Sequence, residues 1–407
     1  MADTRHDVDV VDDASDASAP GNGDGDRDAT IVIDTAAPRS DGPSDGPSEG
    51  PSVGPLEGEP AWSDRFVAAV SDRWVIALTG VLGLVALGIL VGLEEISVGG
   101  VLVDGLRSGA VYGMVAAGIA LVYRTTRVIN FAQGEFGTLP AFLVLLFLLG
   151  FDLTGTVDPA SIGVGAMLGI TLLAMALGAV LAIGVNVAII QRLAEANPVT
   201  SLVATAGIFM LSIGAQIVTF GLTNRRFPRV VEGSVCFVPG ESVCALGTDH
   251  HNLVTLLLLG VVAIFLTALF RTSLGTALLA TAQDPFAASL HGVSPRAMAS
   301  LAWGLAGALA GLAGILGAGF FESISPGFMT LTFLLPAFTA AVVGGLTSVG
   351  GAMIGGLLVG LVAALANNAA SGYGLTGTIP SPPDITSFSL LLLVLFLRPR
   401  GLFGKEA

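Results

Sequence analysis

Few side chains in this 407-residue chain are of the types that carry out bond chemistry. It has four histidines, two cysteines and a single lysine, Lys405. No group of His, Cys, Asp and Glu has the spacing of metal ligands. A phosphate-binding P-loop needs Gly-Lys followed by Ser or Thr, whereas Glu406 follows Lys405. The sequence therefore predicts a protein that is not an enzyme, has no ATPase site of its own and binds no metal or cofactor.

The segment 271–296 carries the most specific local pattern. Its signals for the N-cap, the first turn and the stop of a short helix are Asp284, Pro285 and Gly292. They predict a helix over 285–291, about 10 Å long at 1.5 Å per residue. Phe286 and Leu290 are four residues apart and share one face of it. Such an apolar pair suits a groove on another protein, although an ordinary surface turn helix would show the same signals.

The elements that must position these residues are apolar. The chain is 53% hydrophobic and 12% charged, against about 25% charged in soluble domains, which excludes most soluble enzymes and nucleic-acid binders. We predict an all-α polytopic membrane protein with about 8–10 transmembrane helices. The candidate spans are 74–92, 101–122, 136–151, 161–190, 199–222, 252–270, 297–320, 331–346, 349–369 and 385–397. The glycine-rich stretch 331–369 is expected to be broken or re-entrant, with its hinge at 344–351.

Composition divides the chain into three parts. Residues 1–60 hold 15 acids and 3 bases, a net charge of −12, and are rich in Gly, Pro and Ser. They are predicted to be a disordered tail, since they cannot bury enough apolar surface to offset their ordering entropy. Residues 61–97 contain a first transmembrane helix, and 98–404 form the main transmembrane domain with the loop 271–296.

The basic residues predict the orientation. With ten spans both termini lie on one side, and placing them in the cytoplasm puts ten bases inside and four outside. The outer four are Arg107, Arg225, Arg226 and Arg229. The last three share the loop 223–251, which also holds both cysteines, Cys236 and Cys244. In an oxidising exterior these would form a disulfide, and otherwise they are two unpaired thiols.

Small residues recur at a spacing of four, which lets helix backbones approach closely. The pairs are Gly105 with Gly109, Gly109 with Gly113, Gly165 with Gly169, Gly307 with Gly311, Gly351 with Gly355, and Gly356 with Gly360. They predict a tightly packed bundle with a like partner, and they do not distinguish a transporter from a channel or a membrane enzyme.

From about 98 to 403 the sequence resembles the Liv-type inner-membrane permeases of ABC importers for branched-chain amino acids. The resembling stretches are Gly105-Leu-Arg-Ser-Gly-Ala-Val-Tyr-Gly113, Val128-Ile-Asn-Phe-Ala-Gln-Gly-Glu135, Arg271-Thr-Ser-Leu-Gly275 with Ala287-Ala-Ser-Leu-His-Gly-Val293, Ala306-Gly-Ala-Leu-Ala-Gly-Leu-Ala-Gly314, Ser325-Pro-Gly327, Ala337-Phe-Thr-Ala-Ala-Val-Val-Gly-Gly345, Gly351-Ala-Met-Ile-Gly-Gly356 and Arg398-Pro-Arg-Gly-Leu-Phe403. Their common order is more specific than any one of them.

The resemblance implies a permease subunit in the cell membrane. Its partners would be a homologous second permease subunit, in a homodimer or heterodimer, cytoplasmic ATP-binding subunits that hold the ATP and Mg, an extracytoplasmic substrate-binding protein and the lipid bilayer, with no nucleic acid. It identifies the 285–291 helix as the coupling helix that docks on the ATPase. The coupling residues would be Asp284, Pro285, Phe286, Ala287, Ala288, Leu290 and Gly292.

Gln133 is a departure, because the family usually has His at that position. Close relatives also take amides, urea or other small polar solutes, so the substrate class extends to these.

Two alternatives are a sugar-type ABC permease, whose sites usually need more stacking aromatics, and a secondary carrier or channel. Ion-driven carriers bury ionisable groups near the membrane midplane. Here Asp104, Arg107, Glu135, Asp152 and Glu322 are expected near span ends, as interfacial anchors.

A zwitterion crossing the bundle needs weak polar contacts along its path. The candidates lie in the Asn130–Glu135 motif and in or beside the glycine-rich break, where unwound carbonyls would face a cavity. They are Asn130, Gln133, Glu135, Thr339, Thr347 and Ser348. The alternative is that Asn130 and Glu135 cap a helix and Thr339 bonds its own backbone.

Overall fold

Helices dominate the described part of the chain. The computed structural model describes residues 98–150, 162–193, 197–239, 244–375, 377–398 and 401–403. The predicted tail 1–60, the predicted helix in 61–97 and Asp152 lie outside these residues. Twelve α-helices occur within them: α1 Val98–Thr126, α2 Glu135–Leu148, α3 Val164–Ala188, α4 Pro198–Phe220, α5 His250–Leu269, α6 Ser273–Gln283, α7 Pro285–Leu290, α8 Pro295–Phe321, α9 Phe328–Thr332, α10 Leu334–Gly344, α11 Val349–Gly372 and α12 Pro382–Leu397.

Seven helical segments in the described ranges are long and apolar enough to cross a membrane. They involve α1, α2 with the 3₁₀ turn before it, α3 with the one after it, α4, α5, α8 and α11, and shorter apolar helices are α10 and α12. These match nine of the ten predicted spans, and the tenth, 74–92, is not described. The all-α membrane fold is confirmed, as is the break in 331–369, where Gly345 (φ +96°) separates α10 from α11.

The bundle has two distinct ends. The hairpin end carries two antiparallel strand pairs, β1 Arg225–Arg226 with β4 Ser323–Ile324, and β2 Ser234–Pro239 with β3 Cys244–Asp249. The α7 end carries α6 and α7. There the end of α1 meets the ends of α3 and α6 and the starts of α4, α7 and α8.

The strands and α6 were not predicted from the sequence. Arg229 stabilises the hairpin end by pairing with Asp249 at 3.0 Å and Glu322 at 2.6 Å. These ion pairs give Arg229, one of the three arginines of the 223–251 loop, a structural role. Cys236 in β2 is disulfide-bonded, and the one other cysteine of the chain, Cys244, begins β3.

Glycine allows the central helices to pack backbone to backbone. A Cβ added at Gly109 would lie 2.8 Å from the Leu357 Cα, so α1 and α11 touch where any side chain would clash. Gly307 on α8 is packed in the same way against Gly178 on α3. The predicted pair Gly165 and Gly169 is different, because an added Cβ would meet nothing within 4 Å.

The C-terminal segment covers the break between α10 and α11. The amides of Leu402 and Phe403 donate to the carbonyl oxygens of Val343 and Gly344 at 2.7 and 3.2 Å. The last carbonyls of a helix have no partner within it, so these bonds satisfy the end of α10. The positive φ of Gly401 (+75°) permits the turn that brings the segment back onto the break.

Candidate functional site

The short helix predicted over 285–291 is present as α7, Pro285–Leu290. The Asp284 carboxylate accepts hydrogen bonds from the amides of Phe286 and Ala287, both at 2.9 Å. Gly292 takes a positive φ of +80° after the helix, and the Val293 amide donates to the Ala288 carbonyl at 3.1 Å. Each signal read from the sequence therefore works as a cap or a stop.

One face of α7 is buried and the other is bare. Ala288 is buried against the rest of the chain, whereas Phe286 and Leu290 are 73% and 72% exposed. Both side chains lie beyond the ends of the apolar spans α5 and α8. Burying a large apolar side chain stabilises by about 1.5–3 kcal/mol, so an exposed adjacent pair indicates a contact surface.

Asn130 and Gln133 form one polar unit between α1 and α2. The Asn130 side chain caps a 3₁₀ turn by accepting from the Ala132 amide at 3.0 Å, and its Nδ2 donates to Gln133 Oε1 at 3.1 Å. Gln133 Nε2 donates in turn to the Ala306 carbonyl of α8 at 2.9 Å. Both side chains are buried, so the capping alternative for Asn130 is correct while its amide also holds Gln133.

Glu135 is buried rather than interfacial, and the expectation that it anchors a span end is wrong. Its side chain is 2% exposed and accepts from Ser212 Oγ at 3.1 Å, from Thr330 Oγ1 at 2.6 Å and from Gln216 Nε2. The reason is that α2 begins inside the bundle. The neighbouring residue Gly137 packs against the Ala310 carbonyl, near the middle of α8.

The polar face of α4 was missed from the sequence. Its members are Ser201, Thr205, Ser212 and Gln216. At 100° per residue they fall within one narrow sector of the helix, so the spacing was a readable signal. Thr205 Oγ1 accepts from the Phe131 amide at 3.3 Å, and Ser212 and Gln216 contact Glu135, so this face lines the whole Asn130–Glu135 segment.

The remaining predicted polar residues lie elsewhere. Thr339 Oγ1 is 3.0 Å from the Leu335 carbonyl of its own helix and 3.2 Å from the Ser387 carbonyl of α12. The alternative that it bonds its own backbone is therefore correct. Ser348 caps α11 by accepting from the Gly351 amide at 3.1 Å, and Thr347 is half-buried beside it. The structure thus joins Asn130, Gln133 and Glu135 but not the other three.

A cavity of about 850 Å³ lies at the α7 end, beside the Asn130 segment. Val128, two residues before Asn130, lines it together with Ser201, one turn before Thr205 on α4, and Pro285 of α7. Within the described ranges no group of three or more His, Cys, Asp or Glu residues is arranged to hold a metal ion.

Comparison with known proteins agrees with this architecture. The family profile "Branched-chain amino acid transport system / permease component" matches residues 101–397. The chain is 30% identical to the high-affinity branched-chain amino acid transport permease LivH of Escherichia coli over 310 residues, 74% of this chain and 94% of that protein. It is 30% identical to BraD of Pseudomonas aeruginosa over 315 residues, 75% and 95% of the two chains.

A probable LivH of Methanocaldococcus jannaschii is also 30% identical, over 297 residues that cover 72% of this chain and 88% of the relative. No solved structure matches the chain. The family match covers most of the described helices, including the polar unit and α7. The chain is a multi-pass membrane protein and belongs to the permease components of branched-chain amino acid transport systems.

Proposed function

We propose that the chain is the membrane-spanning subunit of an ABC importer for branched-chain amino acids or a similar small polar solute. It works beside a homologous second permease subunit, receives solute from an extracytoplasmic binding protein and is driven by cytoplasmic ATP-binding subunits, which hold the ATP and Mg. The observation that carries this proposal is α7, a rigidly capped helix that leaves Phe286 and Leu290 bare outside the apolar spans.

Charge supports a cytoplasmic position for the α7 end. Six arginines lie at that end among the described residues, with Asp284 as the one acid there: Arg124, Arg127, Arg192, Arg271, Arg296 and Arg398. At the hairpin end four arginines are matched by acids such as Asp249 and Glu322. Excess positive charge marks the cytoplasmic side of membrane proteins. In this orientation the C-terminus is cytoplasmic, and one further span in 61–97 would place the N-terminus there too.

The solute path is proposed to follow the polar face of α4. Asn130, Gln133 and Glu135 lie opposite that face at mid-bundle and offer amide and carboxylate groups in an otherwise apolar interior. A path needs contacts that release the solute as well as bind it, and the side-chain amides of Asn130 and Gln133 are neutral hydrogen-bonding groups of that kind. Thr339 and Ser348 are less suited, because the Thr339 hydroxyl bonds to helix carbonyls and the Ser348 hydroxyl caps α11. Thr347 lies next to Ser348, away from the Asn130 segment.

Assembly tests the proposal. Phe286→Asp or Leu290→Asp should leave the chain folded in the membrane and abolish its co-purification with an ATP-binding subunit, because a charge would enter an apolar groove. Ala280→Asp, on the exposed side of neighbouring α6, is the matched control and should keep the complex. If both α7 variants retain the ATP-binding subunit at the wild-type level, α7 is not the docking element.

Glu135 supports a second candidate function, a carrier driven by an ion gradient. A buried carboxylate near the middle of the bundle is typical of carriers driven by ion gradients. The two mechanisms differ in energy source. Uptake by the importer requires ATP hydrolysis and continues after a protonophore collapses the gradient, provided ATP is maintained. Uptake that stops with the protonophore and ignores ATP would favour the carrier.

A further inference from the structure

The cavity at the α7 end is lined by exposed arginines and by one buried acceptor, Asn186 Oδ1, without a hydrogen-bond partner in the described part of the chain. Arg127, Arg192 and Arg296 line it and are exposed. None of them forms an ion pair with an acid of the described residues, where the ion pairs lie at the hairpin end. Their guanidinium groups are therefore available to an anionic group, and arginine binds carboxylates with paired hydrogen bonds.

Asn186 supplies the complementary acceptor. It is fully buried in the cavity wall, and its Oδ1 is the one buried side-chain oxygen without a hydrogen-bond partner in the described ranges. Its amide orientation is fixed by neighbours. Ser300 Oγ donates to the Arg296 carbonyl at 3.0 Å and so accepts from Asn186 Nδ2, also at 3.0 Å. A second donor, Gln191 Nε2, reaches Ser300 Oγ at 2.9 Å and reinforces this arrangement.

The same cavity has an apolar side. Val128, Val187 and Ile190 line it between the arginines. Its volume of about 850 Å³ lies in the range of small-molecule sites, which combine apolar walls with a few polar groups. Ser201, which lines the cavity, lies one helical turn before Thr205 on the polar face of α4. The cavity therefore continues the proposed path.

We propose that this cavity is a release site that binds an aliphatic amino acid before it enters the cytoplasm. The arginines hold the carboxylate, Asn186 Oδ1 accepts from the ammonium group, and Val128, Val187 and Ile190 contact the side chain. The site rests on the proposed function, since it takes the transported solute as its ligand. Pro285 and Thr281 form part of its wall, so the helix that docks on the ATPase also borders the release site.

A cysteine reporter tests this site in the purified full-length chain in nanodiscs. Thr126→Cys places a thiol in the cavity lining, and the wild-type chain gives the labelling background. Leucine should slow maleimide labelling of the reporter. Leucinamide lacks the carboxylate and 4-methylpentanoate lacks the ammonium group, so each should need an about tenfold higher concentration for the same protection. Thr276→Cys on α6 lies outside the cavity lining and should show no protection.

The arginines are tested in the same assay. Arg127→Gln with Arg296→Gln should remove protection by leucine, whereas Arg271→Gln, an arginine of the same end outside the cavity lining, should keep it. Equal protection by all three compounds, or protection that depends on phosphatidylglycerol in the nanodisc and not on leucine, overturns the site. If leucine does not protect the Thr126→Cys reporter with its arginines intact, while the assembled transporter shows normal ATP-driven leucine uptake, the site alone is overturned. Absence of that uptake in the wild type overturns the proposed function as well.

Discussion

Glu135 illustrates how a carboxylate is accommodated inside an apolar bundle. Its two oxygens accept from a serine, a threonine and a glutamine, and no cation is among these partners. Burial of a charged group is costly unless hydrogen bonds replace its water. The three donors supply that replacement from two other elements, α4 and α9. The network therefore ties these peripheral elements to α2 while leaving a polar group on the proposed path.

Two substitutions separate the structural role of Glu135 from its role in transport. Glu135→Leu removes the acceptor of the Ser212 and Thr330 hydroxyls and leaves Gln216 Nε2 only its bond to Ser212 Oγ. Each unsatisfied buried group costs about 1–3 kcal/mol, so this variant should clearly lower the thermal unfolding temperature of the purified chain. Glu135→Gln keeps the size and one acceptor oxygen, and the two hydroxyls can reorient. It should unfold close to the wild type yet transport more slowly. If the Glu135→Leu chain unfolds at the same temperature as the wild type, the network does not stabilise the fold.

The predictability of these residues depends on the range of their contacts. Asp284 and Gly292 act within a few residues of themselves, and their roles were readable from the sequence. Glu135 bonds to Thr330, 195 residues away, and no local pattern encodes that distance. Its position at the start of a predicted span suggested the membrane–water interface. The depth of α2 in the bundle is instead set by packing against α8, which the sequence does not show.

Among the elements, the long apolar helices were predictable, whereas of the short helices α7 was predicted and α6 was missed. Length and hydropathy define the spans because the bilayer demands both. Helix α7 was found because it carries its own caps. The missed helix α6 is capped by Thr272, which accepts from the Gly275 amide at 3.3 Å, but the 271–296 segment was interpreted as a loop whose one helix is 285–291. The β2–β3 hairpin was missed because the 223–251 loop was read from its charges and cysteines alone.

Glycine packing between α1 and α11 provides a test at the element scale. Gly109→Val would force side-chain atoms into the space of the Leu357 backbone, which cannot yield without separating the helices. We expect a strong loss of folded protein, measured by monodisperse yield in detergent. Gly169→Val is the matched control, since it also lies in a predicted GxxxG pair but has open space around it, and it should fold normally. Comparable yields from the two variants would contradict the backbone contact.

At the scale of the whole molecule, the two ends differ in construction as well as in charge. The hairpin end is held by the Arg229 ion pairs and by strands, with Cys236 in a disulfide. Disulfides persist in oxidising compartments. The α7 end has no described strand, and Arg127, Arg192 and Arg296 form no ion pair with a described acid. Both differences agree with the proposed orientation, in which the hairpin lies outside and α7 lies in the cytoplasm.

Site-specific labelling of intact cells tests this orientation. In a Cys236→Ser, Cys244→Ser background, the exposed positions Glu232 near the hairpin and Ser289 on α7 are replaced singly by cysteine. A membrane-impermeant maleimide should label the Glu232→Cys chain in intact spheroplasts and the Ser289→Cys chain only after lysis, because the bilayer separates the two ends. The background chain without cysteine controls for non-specific labelling. The reverse labelling pattern would show the opposite orientation. It would place α7, and with it the proposed ATPase contact, outside the cell, where ATP is not supplied.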